Sequence, residues 1–329
     1  MTAKLLDGEE LVQALRADLL TQVERLKAAG CQPRLVAVEV GEAPASKVYT
    51  NSQAKACQAA GIEYQLITLP VDAPEEQALQ LIRRLNDDPQ VTGIIVQLPL
   101  PVSIDARKVQ AALSPDKDVE GMHPLNYGRL FGTTGHVAPC TAMAAVEIVR
   151  ATGIDLAGQE VVIVGHSEIV GKPIAMLLLQ SPSAAPTVTV CHVATRDLAS
   201  HTRGADILFV ATGVRQMRWQ RYHSRITTRE HPPLPDLCPL ITAEMVKPGA
   251  MVIDVAINRI PAGFDEHGQP IRGENGKLKF VTVGDVDFDR VKEVAGAITP
   301  VPGGVGPMTV MMLLRNTLRC ALRICKLDK

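Results

Sequence analysis

The sequence predicts an α/β protein of two domains, each a parallel sheet covered by helices. Three observations carry that prediction. The chain has 329 residues, enough for two domains at roughly 150 residues each. Short apolar runs rich in Val and Ile alternate with segments whose apolar positions recur at helical spacing, the pattern of strands joined by crossover helices. One such run, Val161–Val164, ends in a glycine turn at Gly165 that leads into a further apolar, helical segment.

The elements follow in order. Residues 9–29 repeat apolar positions at helical spacing and stop at Gly30. Residues 35–40 read as a strand, with Gly41 and Pro44 marking the turn after it. A helix follows over Ser46–Ala60, then a strand over Tyr64–Leu69, a helix over 75–86 and a short strand over Gly93–Val96. Gln97-Leu-Pro-Leu-Pro101 breaks the rhythm, because two prolines so close cannot continue a central strand. Ser114–Cys140 is rich in loop formers, and Thr141–Thr152 resumes as helix. The second series has strands at Val161–Val164, Val188–Cys191, Ile207–Val210 and Met251–Val255, and Met308–Lys326 closes the chain as a helix. No internal repeat is visible.

Composition excludes several classes. With 46% apolar and 21% charged residues the chain is an ordinary folding sequence, not a disordered one. One Trp, four Tyr and five Phe leave little for base stacking, and 34 basic against 35 acidic residues give no global field for nucleic acid or an anionic membrane. No apolar run reaches the roughly 20 residues of a membrane helix, and the first residues lack the apolar core of a secretory signal. A cytoplasmic location is expected. The seven cysteines show no CxxC and no Cys/His cluster, so no metal site is expected and reduced thiols are.

Three constellations suggest chemistry. Val161-Val-Ile-Val-Gly165-His-Ser167-Glu-Ile-Val-Gly171-Lys-Pro173 has the strand, glycine turn and helix start of a dinucleotide site, where backbone N–H groups meet a pyrophosphate. It lacks the full G-x-G-x-x-G, so a plain strand-to-helix turn is equally compatible. In Ser46-Lys-Val-Tyr49-Thr-Asn-Ser-Gln53-Ala-Lys55 the i, i+4 spacing puts Tyr49 and Gln53 on one helix face, and Lys55 points about 200° away from Gln53. By itself Tyr49 reads as a half-buried core residue. Thr299-Pro-Val-Pro-Gly-Gly-Val-Gly-Pro307-Met-Thr309 concentrates glycine and proline ahead of a helix, a backbone specialised for close approach to a ligand.

These stretches, with Gly93–Pro101, Pro115–Leu130, Pro139–Thr141, Val252–Arg259 and Gly284–Phe288, occur in one order along nearly the whole chain. In that they resemble the methylenetetrahydrofolate dehydrogenase/methenyltetrahydrofolate cyclohydrolase family, of the bifunctional FolD type. The resemblance implies a folate-binding N-terminal domain (1–140 plus 300–329) and a Rossmann-type NAD(P)-binding domain (141–299, with an insertion at about 214–240), with the cleft between them as the active site. It implies hydride transfer from 5,10-methylenetetrahydrofolate to NADP or NAD, hydrolysis of the methenyl product to 10-formyltetrahydrofolate, and a homodimer. Tyr49 would orient the pterin and Gln97 would sit at the reacting face, with Ser46, Val96, Leu98 and Glu120 as substrate contacts. Val301, Pro302, Gly303 and Gly304 would wall the substrate. Gly165, His166, Ser167, Ile257 and Thr309 would contact the nucleotide, with Arg196 as a further candidate.

The sequence departs from that family in four places. The family has Tyr-x-x-x-Lys-x-Lys, and its first lysine serves the cyclohydrolase step; here the position is Gln53. An amide has no useful pKa and only orients a water, so a dehydrogenase with a weak or lost cyclohydrolase is expected. The full bifunctional enzyme and a non-catalytic folate-binding homologue are the alternatives, and a separate cyclohydrolase would be a partner of the monofunctional form. Glu120 replaces an aspartate that binds the pterin, and its extra methylene also admits a modified pterin such as tetrahydromethanopterin. His166 and Val193 stand where NADP-using members often have Arg and Ser. Finally, Arg215, Arg218, Arg221, Arg225 and Arg229 are spaced to share one helical face, either a solvated surface or an anion-binding one, with Trp219 and Tyr222 to anchor it.

Overall fold

The computed structural model describes residues 2–41, 44–135, 137–181, 183–215, 238–263, 270–273 and 276–327. In chain order the elements begin with β1 (Lys4–Leu5), α1 (Gly8–Ala28), β2 (Arg34–Val40), α2 (Pro44–Ala60), β3 (Glu63–Leu69), α3 (Glu75–Asp87) and β4 (Gly93–Val96). Next come α4 (Ala106–Ala112), α5 (Pro124–Phe131), α6 (Cys140–Ala151), β5 (Glu160–Val164), α7 (Gly171–Leu178), β6 (Thr187–Cys191), α8 (Leu198–Thr202) and β7 (Ile207–Val210). The last are β8 (Met251–Asp254), β9 (Asn258–Pro261), β10 (Phe280–Val283), α9 (Phe288–Val291), β11 (Ala297–Ile298) and α10 (Val305–Ile324). The chain divides into two compact units. Unit 1 is Met1–Glu9 with Ala145–Pro307, and unit 2 is Glu10–Ala144 with Met308–Lys329.

Unit 2 is built on the parallel sheet β3-β2-β4, with Leu35 opposite both Tyr64 and Gly93. Strand β2 reads as one apolar run because helices and strands bury it on every side: Leu35, Val36, Ala37 and Val38 are all buried. Helix α3 presents Ala78, Leu81, Ile82 and Leu85 to the core, the i, i+3, i+4, i+7 face of an amphipathic helix. The stretch Ser114–Cys140, expected to be loop, contains α5. Its short length hides the period, but its start is well signalled: His123 Nδ1 accepts from the Leu125 N–H at 3.0 Å, and Pro124 follows as the first helical residue. Lys117 also organises this region. Its buried ammonium donates to the carbonyls of Leu85 (3.0 Å), Asn86 (2.6 Å) and Asp88 (2.6 Å), closing the C-terminal end of α3.

Unit 1 holds a parallel sheet whose described strands run β1-β11-β8-β7-β5-β6, with the antiparallel pair β9–β10 beside it in sequence. Strand β5 lies between β7 and β6, with Val161 opposite Ile207 and Val188. The boundaries differ from those expected. Residues 1–9 and 300–307 were expected in the first domain, but Lys4 pairs with Ala297, Leu5 with Ile298, and the Gly8 N–H donates to Gly303 O at 2.9 Å. Two-residue strands held by main-chain bonds leave no side-chain period to read.

The expectation of reduced thiols fails for one pair. Cys31, between α1 and β2, is disulfide-bonded to Cys325 at the end of α10, with Cα atoms 6.2 Å apart. Both lie in unit 2 and are 294 positions apart in sequence. Such a pairing cannot be inferred from spacing. Cys57, Cys140, Cys191, Cys238 and Cys320 are free thiols. Among the described residues no helix is long and apolar enough to cross a membrane.

Candidate functional site

In unit 2 the residues expected at the reacting face come together from two elements. Helix α2 carries Tyr49 and, one turn on, Gln53; Tyr49 is 52% exposed and Gln53 only 7%. Strand β4 ends at Val96, and the Gln97 N–H donates to Val38 O at 2.8 Å, which anchors Gln97 beside the end of β2. From there the Gln97 side chain reaches Gln53, its Nε2 donating to Gln53 Oε1 at 3.0 Å. A third residue joins them, one the sequence reading missed: the Tyr64 hydroxyl on β3 donates to the same Gln53 oxygen at 3.3 Å. Burial, with Cys57 and Glu39 nearby, raises the Tyr64 phenol well above its ordinary range, so it acts as a donor and not as a base. Val96 is buried and Leu98 is exposed beside Gln97. Ser46 lies in α2, and its side chain is outside the described residues.

Glu120 sits on the segment that follows Lys117. Asp118 is fully buried and accepts from the N–H groups of Glu120 (3.2 Å) and His123 (2.8 Å) and from Asn126 Nδ2 (2.9 Å). Burial and the neighbouring Asp118 push the Glu120 carboxyl up to about 7. A carboxyl at that value is poised to take or hold a proton near neutral pH. Behind it Asn316 of α10 donates to Val119 O (2.7 Å) and Ala138 O (2.9 Å), tying the segment to the last helix.

In unit 1 the glycine turn has the shape a nucleotide needs. Gly165 has φ +120°, and a Cβ there would be 2.9 Å from the Ala211 carbonyl carbon. A Cβ at Gly171 would be 2.6 Å from the Gly165 carbonyl carbon, so both positions are closed to any side chain. Helix α7 starts at Gly171, its entry braced by the Val170 N–H donating to Ser167 Oγ at 3.1 Å. His166 stacks on His192 with ring centroids 4.8 Å apart, and Arg196 and Ile257 are exposed.

Two buried aspartates shape the same end of that sheet. Asp254, the last residue of β8, accepts from the N–H groups of Ala256 (3.1 Å), Asp285 (3.2 Å) and Val286 (2.9 Å). Asp285 accepts from the Thr212 hydroxyl, from the Gly213 N–H at 3.0 Å and from Asn258 Nδ2 at 2.8 Å, joining the segments after β7 and β8. Burial raises both carboxyls, and the neighbouring Asp285 adds to the rise at Asp254, which reaches about 7. Nearby, Thr299, Pro300 and Val301 line a cavity of about 350 Å³ with Asp254, Asp287 and Phe288. Pro302 is exposed, Gly303 has φ +108°, and Gly304 is buried. Thr309 lies in the part of α10 that belongs to unit 2.

Arg215 is not part of a solvated face. It is buried, and its Nη1 donates to Gly284 O at 2.7 Å. Arg218, Trp219, Arg221, Tyr222, Arg225 and Arg229 lie outside the described residues.

This arrangement can be set against known proteins. Residues 6–120 match the catalytic domain of tetrahydrofolate dehydrogenase/cyclohydrolase, and 139–221 with 237–325 match its NAD(P)-binding domain. The chain belongs to the tetrahydrofolate dehydrogenase/cyclohydrolase family. It is 46% identical over 323 residues to the bifunctional protein FolD of Paraburkholderia phytofirmans, covering 98% of each chain. Solved structures agree. The FolD enzyme of Campylobacter jejuni is 38% identical with TM-score 0.80, covering 98% of this chain and 99% of that one. That of Trypanosoma brucei, complexed with NADP and an inhibitor, is 32% identical with TM-score 0.82 over the whole of both chains. Unit 1 is thus largely the family's NAD(P)-binding domain, an oxidoreductase module of one-carbon folate metabolism. The NAD(P)-binding match skips 222–236, inside the expected insertion.

Proposed function

We propose that this chain oxidises 5,10-methylenetetrahydrofolate to 5,10-methenyltetrahydrofolate with NADP as the hydride acceptor, and that its cyclohydrolase step is weak or absent. The observation that carries the reading is the pair Gln53–Gln97. Where the family's lysine would offer a proton-carrying amine, Gln53 offers an amide locked by two donors to its oxygen. Such a group holds a water but neither gives nor takes its proton. Hydride departure needs no such exchange. The one-carbon C–H bond breaks with its electron pair, and the folate nitrogen lone pair fills the gap.

The residues serve that step by placement. Tyr49, exposed one turn from Gln53, is positioned for a pterin face, and Glu120 for the ring N–H groups. When bound, the nicotinamide cofactor supplies the hydride acceptor. Gly165, Ser167 and the start of α7 would hold its pyrophosphate, and Ile257 and Thr309 would bear on the rest. NADP is favoured over NAD because β6 runs on as His192-Val-Ala-Thr-Arg196, with none of the carboxylates that grip a free ribose 2′-hydroxyl at this position. A homodimer in the cytoplasm, with a separate cyclohydrolase consuming the product, completes the reading.

The test is direct. Purified protein should reduce NADP in the presence of methylenetetrahydrofolate, while methenyltetrahydrofolate decays scarcely faster than its spontaneous rate. The cyclohydrolase deficit should be roughly 10²–10⁴-fold against a lysine-bearing FolD, and Gln53→Lys should recover part of it. Hydrolysis by the unmodified chain at the rate of such a relative would refute the proposal. A wild-type chain that reduces neither nucleotide would restore the non-catalytic alternative.

A further inference from the structure

The two donors on Gln53 Oε1 have a consequence for the polarity of the site. A carbonyl oxygen has two lone pairs, and the Tyr64 hydroxyl and Gln97 Nε2 occupy both. Gln53 is buried, so most of its side chain is withdrawn from bulk water. Gln97 is fixed at its main chain by Val38. With these bonds made, the Gln97 amide has its nitrogen turned to Gln53 and its oxygen free to face a ligand. A lysine at position 53 would reverse this. An ammonium only donates, so it would draw the Gln97 oxygen inward and turn the Gln97 NH₂ outward.

We infer that Tyr64 is a positioning residue of the dehydrogenase, and that through Gln53 it makes Gln97 present a carbonyl oxygen to the one-carbon unit of the substrate. This rests on the reading above that Gln97 lies at the reacting face. Tyr64 does not touch the substrate. It fills the second lone pair of Gln53 Oε1, and because a phenol donates much better than it accepts, it disfavours the alternative in which Gln53 flips and presents its NH₂ to Gln97. The outward oxygen suits hydride loss. As the C–H bond breaks and its electron pair leaves for the nicotinamide ring, positive charge spreads over the two folate nitrogens and the carbon between them. A fixed carbonyl dipole with its negative end toward that charge lowers the barrier, because it needs no reorganisation as the charge appears. Exchange of lysine for glutamine thus inverts the local dipole as well as removing a proton carrier, and Tyr64 holds the inversion in place.

The experiment compares Tyr64→Phe, Gln53→Glu and Gln53→Lys. Tyr64→Phe keeps the ring and deletes the donor. Its kcat for dehydrogenation should fall about 5–20-fold, the effect of roughly one hydrogen bond's worth of positioning, with KM for methylenetetrahydrofolate changed less than about twofold. Gln53→Glu keeps acceptor oxygens toward Tyr64 and Gln97, whereas Gln53→Lys reverses the dipole, so the lysine variant should lose at least about fivefold more dehydrogenase kcat than the glutamate variant. A readout independent of turnover is the side-chain NH₂ resonances of ¹⁵N-glutamine-labelled protein: the Gln97 NH₂ should exchange slowly in the wild type and markedly faster in Tyr64→Phe. A folded Tyr64→Phe with unchanged kcat and unchanged amide exchange overturns the inference. Equal losses in Gln53→Glu and Gln53→Lys also overturn it, and that pair decides the matter even if Tyr64→Phe does not fold. A wild-type chain without dehydrogenase activity would instead count against the function, and is distinguished by that measurement alone.

Discussion

Gly284→Ala is the most demanding test of how the nucleotide end of unit 1 is built. Gly284 is buried, and a Cβ there would fall inside the Asp254 carboxylate, 2.8 Å from Oδ1 and closer still to Oδ2. Neither partner can yield cheaply, since Asp254 is the last residue of β8 and is itself only 4% exposed. The carboxylate must move off the Ala256, Asp285 and Val286 N–H groups, which it holds at 3.1, 3.2 and 2.9 Å. Each buried donor left unmet costs about 1–3 kcal/mol, and partial relaxation recovers some of this. A loss of about 4 kcal/mol is expected, a large share of the roughly 5–15 kcal/mol that stabilises a domain. Urea unfolding followed by far-ultraviolet circular dichroism measures it. The same substitution in an Asp254→Ala background should cost far less, because the obstructing carboxylate is gone. The resulting coupling should be at least about 2 kcal/mol, where independent sites add to within about 0.5 kcal/mol. A loss below about 1 kcal/mol in the wild-type background, or plain additivity in the cycle, would refute the steric argument.

Three further outcomes are expected. Lys117→Met strands the Leu85, Asn86 and Asp88 carbonyls and should cost about 2–4 kcal/mol of stability, with Lys117→Arg an incomplete substitute; an unchanged urea midpoint would speak against the capping role. The Glu120 carboxyl is pushed up to about 7 from an ordinary value of 4.5, so the folded state binds its proton more tightly than the unfolded chain does. Stability should therefore fall as pH rises from about 4.5 to 7, and Glu120→Gln should flatten that slope in urea midpoints taken across the range; an identical slope would remove Glu120 as its source. Gly165→Ala forces a side chain into a φ +120° turn against Ala211, and should weaken 2′,5′-ADP binding by calorimetry more than about tenfold while unit 2 keeps its helical signal; undiminished binding would mean the turn does not shape the nucleotide site.

Much of this was legible in the residues. Strands β2, β4, β5 and β7 announce themselves because a parallel strand buried on both faces is a near-continuous apolar run. Gly165 and Gly171 mark the nucleotide turn because no side chain fits there. The Gln53 departure is visible because α2 keeps Tyr49 and Gln53 one turn apart. What stayed hidden depends on partners far along the chain. Gln53 and Gln97 meet across 44 residues, and Tyr64 looks like any strand aromatic until its hydroxyl is seen on Gln53. Asp254 explains Gly284 only once β8 lies beside that segment. Strands β1 and β11 are recognised by main-chain pairing, for which the side chains give no period. Arg215 reads as one of five in a basic stripe, yet its burial against Gly284 separates it from any such face.

The Cys31–Cys325 bond turns most of the polypeptide into a loop closed on itself, its closing points 294 positions apart in sequence. Everything from Ala145 to Pro307 is threaded on that loop. A single protease cut anywhere between the two cysteines therefore releases no fragment. The nicked molecule keeps its full mass on a non-reducing gel and separates into two pieces only when a thiol is added. Reductant, rather than the first cleavage, decides when the two pieces of a once-cut chain come apart.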